Sequence, residues 1–230
     1  MKQKMKILLA AASLLMIGSV CRAQKFQPKD TWPYLIKDFT EGKVYTPGGK
    51  EILSSELNIS VVKGTLNYIE NGTIMAADMR RVSNVVIGDR KFINVMGRMM
   101  EVLASSASGH VLKDVQVDVD EMGKTNIGYG ISSATASSQS ITTLMDGMSD
   151  MVNLNLSDAV TRSKEGTVIP VKEDLYLKYG AATVPAFKKD VLDIQGLDKA
   201  AAEGFFKSQK IKWKDPQSLI KVVDYIAENN

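Results

Sequence analysis

The chain has 230 residues, with 29 lysines and arginines, 26 acidic residues, one histidine and one cysteine. Four of the basic residues, Lys2, Lys4, Lys6 and Arg22, fall within positions 1–23, so the rest of the chain carries a net charge of −1. A near-neutral chain without a lysine or arginine block lacks the electrostatic pattern that nucleic-acid binding or docking on an anionic membrane requires. Composition therefore excludes both as leading interpretations.

Residues 1–23 have the three-part pattern of a cleavable secretory signal. Three early lysines precede an uncharged, mostly apolar run at residues 7–20, which has the length of the hydrophobic region of a signal peptide and is too short to span a bilayer. Cys21 and Ala23 then place small side chains where signal peptidase reads them, which predicts cleavage after Ala23. The alternative is a lipoprotein modified at Cys21, but Val20 and Gly18 do not fit the sequence expected before such a site.

The predicted mature chain is therefore periplasmic or secreted and has no transmembrane segment. Cleavage removes the only cysteine, so disulfides, thiol nucleophiles and thiolate metal ligands are not expected. The remaining residues are enough to bury a core as one or two domains.

Residues 24–125 are predicted to form a β-rich, antiparallel part. Leu57, Ile59 and Val61 recur with the period of two that is typical of a half-buried strand. Asn71-Gly72 is suited to the positive φ angles of a type I′ turn and predicts a hairpin between residues 66–69 and 73–76. Further strands are predicted at residues 44–45, 85–87, 92–95, 99–103 and 111–119.

Residues 126–165 are predicted to be a connector. Its segment 128–140 is rich in serine, threonine and glycine, and a helix is expected to follow from Ile141 to Val152. Residues 166–230 begin with short predicted strands at 168–171, 175–179 and 182–184.

The end of the chain is predicted to be a helical hairpin that closes over Trp213. Its first helix spans residues 197–207, with Ala201 and Phe205 facing inward. The second begins at Asp215-Pro216, which combines an N-cap with proline at the first helical position. The chain is thus β-rich first and helical last, which predicts the α+β class.

No catalytic, cofactor-binding or metal-ligating residue is assigned from the sequence. His110 is the only candidate for a Ser-His-Asp relay, but no nucleophile-elbow motif presents a serine to it, and a turn or surface role is the simpler interpretation. Asp118, Asp120 and Glu121 form the densest acidic group, yet they supply fewer oxygens than calcium requires and are expected to form a solvated strand end.

Aromatic and methionine side chains are the other candidates for a binding surface. Trp32, Tyr34, Tyr45 and Tyr68 could form a platform for a sugar ring or could fill the core, and core filling is the preferred interpretation. The same interpretation is preferred for two methionine groups, at positions 96, 99 and 100 and at positions 145, 148 and 151.

Five segments carry a family resemblance. They are Trp-Pro-Tyr at 32–34, Phe-Thr-Glu-Gly at 39–42, Leu-Asn-Tyr at 66–68, Gly-Tyr-Gly-Ile-Ser-Ser at 128–133 and Lys-Ile-Lys-Trp-Lys-Asp-Pro at 210–216. Together they resemble uncharacterised envelope proteins of Bacteroidetes-type bacteria. The resemblance implies an envelope location and carries over no activity, cofactor or site residue.

The leading hypothesis is a non-enzymatic envelope protein that binds a macromolecular partner. The alternative is a protein that binds a small molecule or glycan in a pocket lined by Trp32, Tyr34 or Tyr68. A third hypothesis is a hydrolase with two inward-facing carboxylates among the dispersed acidic residues.

Overall fold

The computed structural model describes residues 33–118 and 170–230. The predicted signal peptide, Trp32 and the whole predicted connector, with its expected helix and the methionines at 145, 148 and 151, lie outside the described residues. The strands are β1 (Thr40–Tyr45), β2 (Glu51–Ile59), β3 (Leu66–Glu70), β4 (Thr73–Ala76), β5 (Asn84–Ile87), β6 (Arg90–Val95), β7 (Arg98–Ser105), β8 (Gly109–Val117), β9 (Val171–Tyr179) and β10 (Ala182–Pro185). The helices are α1 (Lys188–Leu192), α2 (Lys199–Ser208) and α3 (Pro216–Asn229).

The ten strands form one antiparallel sheet in the order β10-β9-β8-β7-β6-β5-β1-β2-β3-β4. The predicted α+β class is confirmed, with the helices near the end of the chain. β9 pairs with β8 along its whole length, from Val171 opposite Val117 to Tyr179 opposite Gly109. Strands from both sides of the gap at residues 119–169 therefore belong to one sheet.

The predicted hairpin between β3 and β4 is confirmed. Asn71 and Gly72 have φ angles of 51° and 75°, as a type I′ turn requires. The turn between β6 and β7 also uses two positive φ angles, at Met96 and Gly97. Met96 is fully exposed there, so the expectation that it fills the core is wrong. A turn tip has no neighbouring surface against which the side chain could pack.

The sheet curls so that its β2–β3 loop returns to the start of β7. The Met99 amide donates a 2.7 Å hydrogen bond to the Gly64 carbonyl, and Arg98 Nη1 donates one of 3.2 Å to the Lys63 carbonyl. A side chain on Gly64 would lie only 2.7 Å from the Arg98 guanidinium carbon. Four strands separate β3 from β7 in the sheet, so this contact requires strong coiling.

Two cores lie on the face of the sheet that carries Leu57, Phe92 and Val115, which we call the inner face. The first core is formed by strands and loops and includes Leu35, Val44, Leu57, Ile59, Val61, Leu66, Val82, Val85, Ile87, Phe92, Met99, Val115 and Val117. The second lies under the helices and includes Val111, Leu177, Ala186, Val191, Leu197, Ala202, Phe206, Leu219, Val222, Val223 and Ile226. β8 contributes to both.

The predicted helical hairpin is present with a partly different inward face on its first helix. Asp198 caps α2 by accepting from the amides of Ala200 and Ala201, and the buried residues are Ala202 and Phe206. Ala201 is exposed, which corrects the prediction that it faces inward. Phe205, the other residue predicted to face inward, is partly buried and packs against the second core beside the buried Phe206. The predicted Asp215 cap of α3 is confirmed by its bond to the Gln217 amide.

Two further details differ from the predicted elements. β9 begins at Val171 and runs without interruption through the strand expected at 175–179, because the charged residues 172–174 also pair with β8. Positions 168 and 169 of the other expected strand lie outside the described residues. α1 was not predicted, since five residues carry too little periodicity to indicate a helix.

Candidate functional site

Four charged residues form a group across β6 to β9 on the inner face. Arg90 donates two hydrogen bonds to the Glu101 carboxylate, of 2.7 and 2.9 Å. Lys113 Nζ lies 3.2 Å from Glu101 Oε2 and 3.8 Å from Glu173 Oε1. Only 5% of the Lys113 side chain is exposed. Strand alternation places Lys113 between Val111 and Val115, so the group lies between the two cores.

This group is suited to structure rather than proton transfer. Burial by itself would raise the pKa of Glu101, but the hydrogen bonds and charge of Arg90, followed by those of Lys113, outweigh it and lower the pKa. A carboxylate held ionised in this way is a weak base and a poor proton donor at neutral pH. Glu101 and Glu173 do face inward, as the hydrolase hypothesis requires, but Lys113 binds both.

A second ion pair lies on the opposite, outer face of the same strands. Arg98 donates two bonds of 3.0 Å to Asp114, whose side chain is almost fully buried. Gln116 extends this polar group by donating a 3.3 Å bond to Asp174. Burial, and then the charges of Asp174 and Asp114, raise the pKa of Tyr176. Because Arg98 also binds the β2–β3 loop, the pair holds the curl of the sheet in place.

His110 lies within β8, directly opposite Ser105 of β7 and Lys178 of β9. Its Nδ1 is 2.8 Å from Ser105 Oγ. Burial, followed by the charges of Lys91 and Lys178, lowers the pKa of the imidazole. Within residues 33–118 and 170–230 no carboxylate binds His110, so the third group of a relay is not supplied by this part of the chain.

Of the acidic group at 118–121, the structure describes only Asp118. The Asp118 amide donates a 2.9 Å bond to the Pro170 carbonyl, while Asp120 and Glu121 lie outside. Among the described residues, no three or more histidine, cysteine, aspartate or glutamate side chains are placed to hold a metal ion.

The aromatic residues proposed as a platform do not share one surface. Tyr34 makes an edge contact with Phe39 at a centroid distance of 4.9 Å. Tyr68 packs against the first core on the inner face. Tyr45 follows the buried Val44 in β1, so alternation directs it to the outer face. Tyr45 and Tyr68 therefore lie on opposite faces of the sheet.

The two edges of the sheet differ. β4 forms one edge, and all four of its residues are exposed. Ile74 and Met75 are 49% and 40% exposed. The other exposed large apolar side chains of the described part are Ile52, Met96 and Phe187, none of which neighbours another in the chain. No strand of residues 33–118 or 170–230 pairs with the outer side of β4, so in this described part β4 combines an open edge with two adjacent apolar side chains, one on each face.

The hairpin phase determines which backbone groups β4 leaves open. Thr73 pairs with Glu70 next to the two-residue turn, and the Ala77 amide donates to the Leu66 carbonyl at 2.9 Å. Backbone groups of alternate residues point to opposite sides of a strand. Those of Ile74 and Ala76 therefore point away from β3, toward the open edge.

β10, at the other edge, is protected. The same phase argument, supported by the bond from the Ala186 amide to the Leu175 carbonyl, directs the backbone groups of Thr183 and Pro185 outward. Proline has no N–H to donate, and natural sheets use it to block the addition of further strands. The chain continues from this edge directly into α1.

The comparisons with known proteins identify no relative: no protein-family model, curated protein or solved structure matches the chain. Among the helices of the described residues, none has the length and apolar character needed to cross a membrane. The β4 edge and the two ion-pair groups were not predicted from the sequence. Four charged residues inside otherwise apolar strands, Arg98, Glu101, Lys113 and Asp114, were the available signal for the ion pairs.

Proposed function

We propose that the protein is an exported component of the cell envelope that binds a partner protein and has no catalytic role. The open edge at β4 carries this proposal. Within the part of the chain that the structure describes, no strand pairs with the outward backbone groups of Ile74 and Ala76, and an extended segment of a partner can satisfy them by joining the sheet as an additional strand. The exposed Ile74 and Met75 would be covered by that segment.

Two further observations support a binding role. The described inward and buried carboxylates are held by arginine or lysine, which leaves them unsuited to general acid or base chemistry. The contrast between the edges also supports a binding role. Pro185 protects the β10 edge against further strands, whereas within the described part of the chain the β4 edge has no such protection. Export rests on the signal-like residues 1–23 and on the family resemblance.

Site-specific photo-crosslinking in the native envelope tests the proposal. A photoreactive residue at position 75 is expected to give a discrete protein adduct, whereas one at position 183 on β10 is the matched control and is expected to give none. Equal labelling at both positions would contradict a role for the β4 edge. A defined glycan-array signal without any protein adduct would favour the glycan-binding alternative instead.

Mass spectrometry of the exported protein tests the location. Cleavage after Ala23 predicts an N-terminus at Gln24, and a lipid adduct on Cys21 would show the alternative processing. Retention of the uncleaved chain in the cytoplasm would contradict export.

A further inference from the structure

We propose that the strand received by β4 is β4 of a second copy of this chain. This inference rests on the binding role proposed for the β4 edge and names the partner. Two copies would join antiparallel across a twofold axis, so that their sheets become continuous. An edge that pairs with itself closes a symmetric dimer and leaves no free β4 edge behind.

The backbone phase selects one register for this pairing. Only outward-facing residues can bond to each other, and within β4 these are Ile74 and Ala76. Placing Ile74 of each copy opposite Ala76 of the other makes two bonded pairs and about four hydrogen bonds. The two alternative registers, with Ile74 opposite Ile74 or Ala76 opposite Ala76 of the second copy, each make only one hydrogen-bonded pair within β4. The first register therefore satisfies more of the open edge, and it puts Met75 on the twofold axis.

The charges at the two ends of β4 are complementary in this arrangement. Glu70 is exposed at the turn end, and Arg80 and Arg81 are exposed beyond the other end. Asp78 binds Arg80, so the second end keeps a net positive charge. Antiparallel pairing brings the acidic end of one copy toward the basic end of the other. A strand with an apolar centre and opposite charges at its ends is complementary to itself.

The size of the contact predicts a weak, reversible dimer. Four residues per copy bury far less than the roughly 1,200 Å² or more of a stable interface. Association is therefore expected to depend on concentration and to be favoured where the protein is concentrated in the envelope.

Disulfide trapping tests the register directly. In a Cys21→Ala background, which keeps a small residue before the predicted cleavage site, Met75→Cys supplies the only thiol. Residues at a non-bonded antiparallel position have Cα atoms about 4.5 Å apart, within disulfide range. Mild oxidation is expected to convert most of this variant into a covalent dimer at concentrations where the dimer forms.

Thr73→Cys is the matched control because it lies in the same exposed strand. In the proposed register its two copies are separated by about 13 Å along the strands, beyond the reach of a disulfide. At least tenfold less covalent dimer is expected than for Met75→Cys. Equal yields at both positions would indicate random collision and overturn the register.

Sedimentation velocity measures the association without any cross-link. The chain is expected to change from monomer to dimer between about 10 μM and 1 mM, the range of a small interface. Ile74→Lys should hold it monomeric, while Thr183→Lys on the β10 edge should not. A monomer throughout this range, together with no disulfide in the Met75→Cys variant, overturns the inference. A position-75 adduct to a different protein in the envelope would still support the proposed function.

Discussion

The two cores on the inner face are closed by different means. In the first, the sheet curls until the β2–β3 loop meets β7, so strands and loops cover each other. In the second, helices α1 to α3 cover strands that the curl leaves open. β8 runs through both, with Val111 in one core and Val115 in the other. One sheet therefore supports both a core closed by strands and loops and a core covered by helices, with the polar group around Lys113 between them.

Lys113 and its partners occupy that boundary. The lysine lies between the two apolar regions and is paired with Glu101 and Glu173 from the neighbouring strands. A buried ion pair is weak evidence for stability, because desolvation offsets most of its attraction. Its clearer consequence is register, since a slip of β8 by one residue would move Lys113 to the other face, away from Glu101 and Glu173, and would leave Glu101 with Arg90 alone.

The largest expected losses of stability come from truncating one buried phenylalanine in each core, in separate variants. Phe92→Ala in the first core and Phe206→Ala in the second should each lower the free energy of unfolding by about 3–5 kcal/mol. Trp213 lies 5.2 Å from Phe206, centroid to centroid, so its fluorescence reports on the second core. A Trp32→Phe background removes the other tryptophan.

Because β8 is common to both cores, unfolding followed by Trp213 fluorescence and by circular dichroism is expected to coincide in both variants. Phe187→Ala, an exposed phenylalanine, is the control and should cost little. Separate transitions in the Phe92→Ala variant would show that the cores unfold independently.

Removing the ion pair between Glu101 and Lys113 at the boundary is expected to cause the next largest loss of stability. Glu101→Ala leaves Lys113 with only its more distant partner, and should cost about 2–3 kcal/mol in urea unfolding. This is less than for a fully buried pair, since Arg90 and Glu173 are partly open to water. Replacing the pair together, as Glu101→Leu with Lys113→Met, should recover most of that loss. A double variant no more stable than the single one would contradict the desolvation argument.

The stabilisation that Glu101 gives the boundary is expected to be present at neutral pH and to be lost in acid. The pKa of Glu101 in the folded chain lies below its ordinary value of 4.5, so its stabilisation is present above pH 4.5 and is lost as pH falls through the folded pKa. Glu101→Gln should therefore flatten the dependence of unfolding free energy on pH in this acidic range. Glu203→Gln, in an exposed pair with Lys188, should leave the slope nearly unchanged.

The smallest effect concerns His110, on the outer face of β8 near the second core. Burial and the nearby Lys91 and Lys178 should place its NMR titration midpoint, and so its pKa, below 6.5. The neutral form is favoured in the folded chain, so the associated stability is full above pH 6.5 and declines as pH falls through the folded pKa. Lys178→Met should raise the midpoint. As the chain has one histidine, assignment is direct, and a wild-type midpoint above 6.5 would refute the argument.

The elements that could be predicted from the sequence are those that depend on a few neighbouring residues. Asn71-Gly72 indicated its hairpin because positive φ angles are a property of those two residues, and Asp215-Pro216 indicated the start of a helix for a similarly local reason. On α2 the prediction was right for Phe205, which packs against the second core, and wrong for Ala201, since Ala202 is the buried alanine. The spacing of apolar residues alone did not distinguish two adjacent alanines. The β4 edge and the ion pairs were not predicted, since neither an edge nor an ion pair is visible before the strand order is known.

By itself, the sequence determined the α+β class, the position of the main turns and the signal-like character of residues 1–23. These depend on residue identity, charge and short-range periodicity. Only the tertiary structure decided that β1 lies between β5 and β2, that β9 joins β8 across more than fifty residues, and that β4 and β10 become the edges. Strand order depends on contacts between residues far apart in the chain, so the pairing of Lys113 with Glu101 and the openness of β4 follow from the fold.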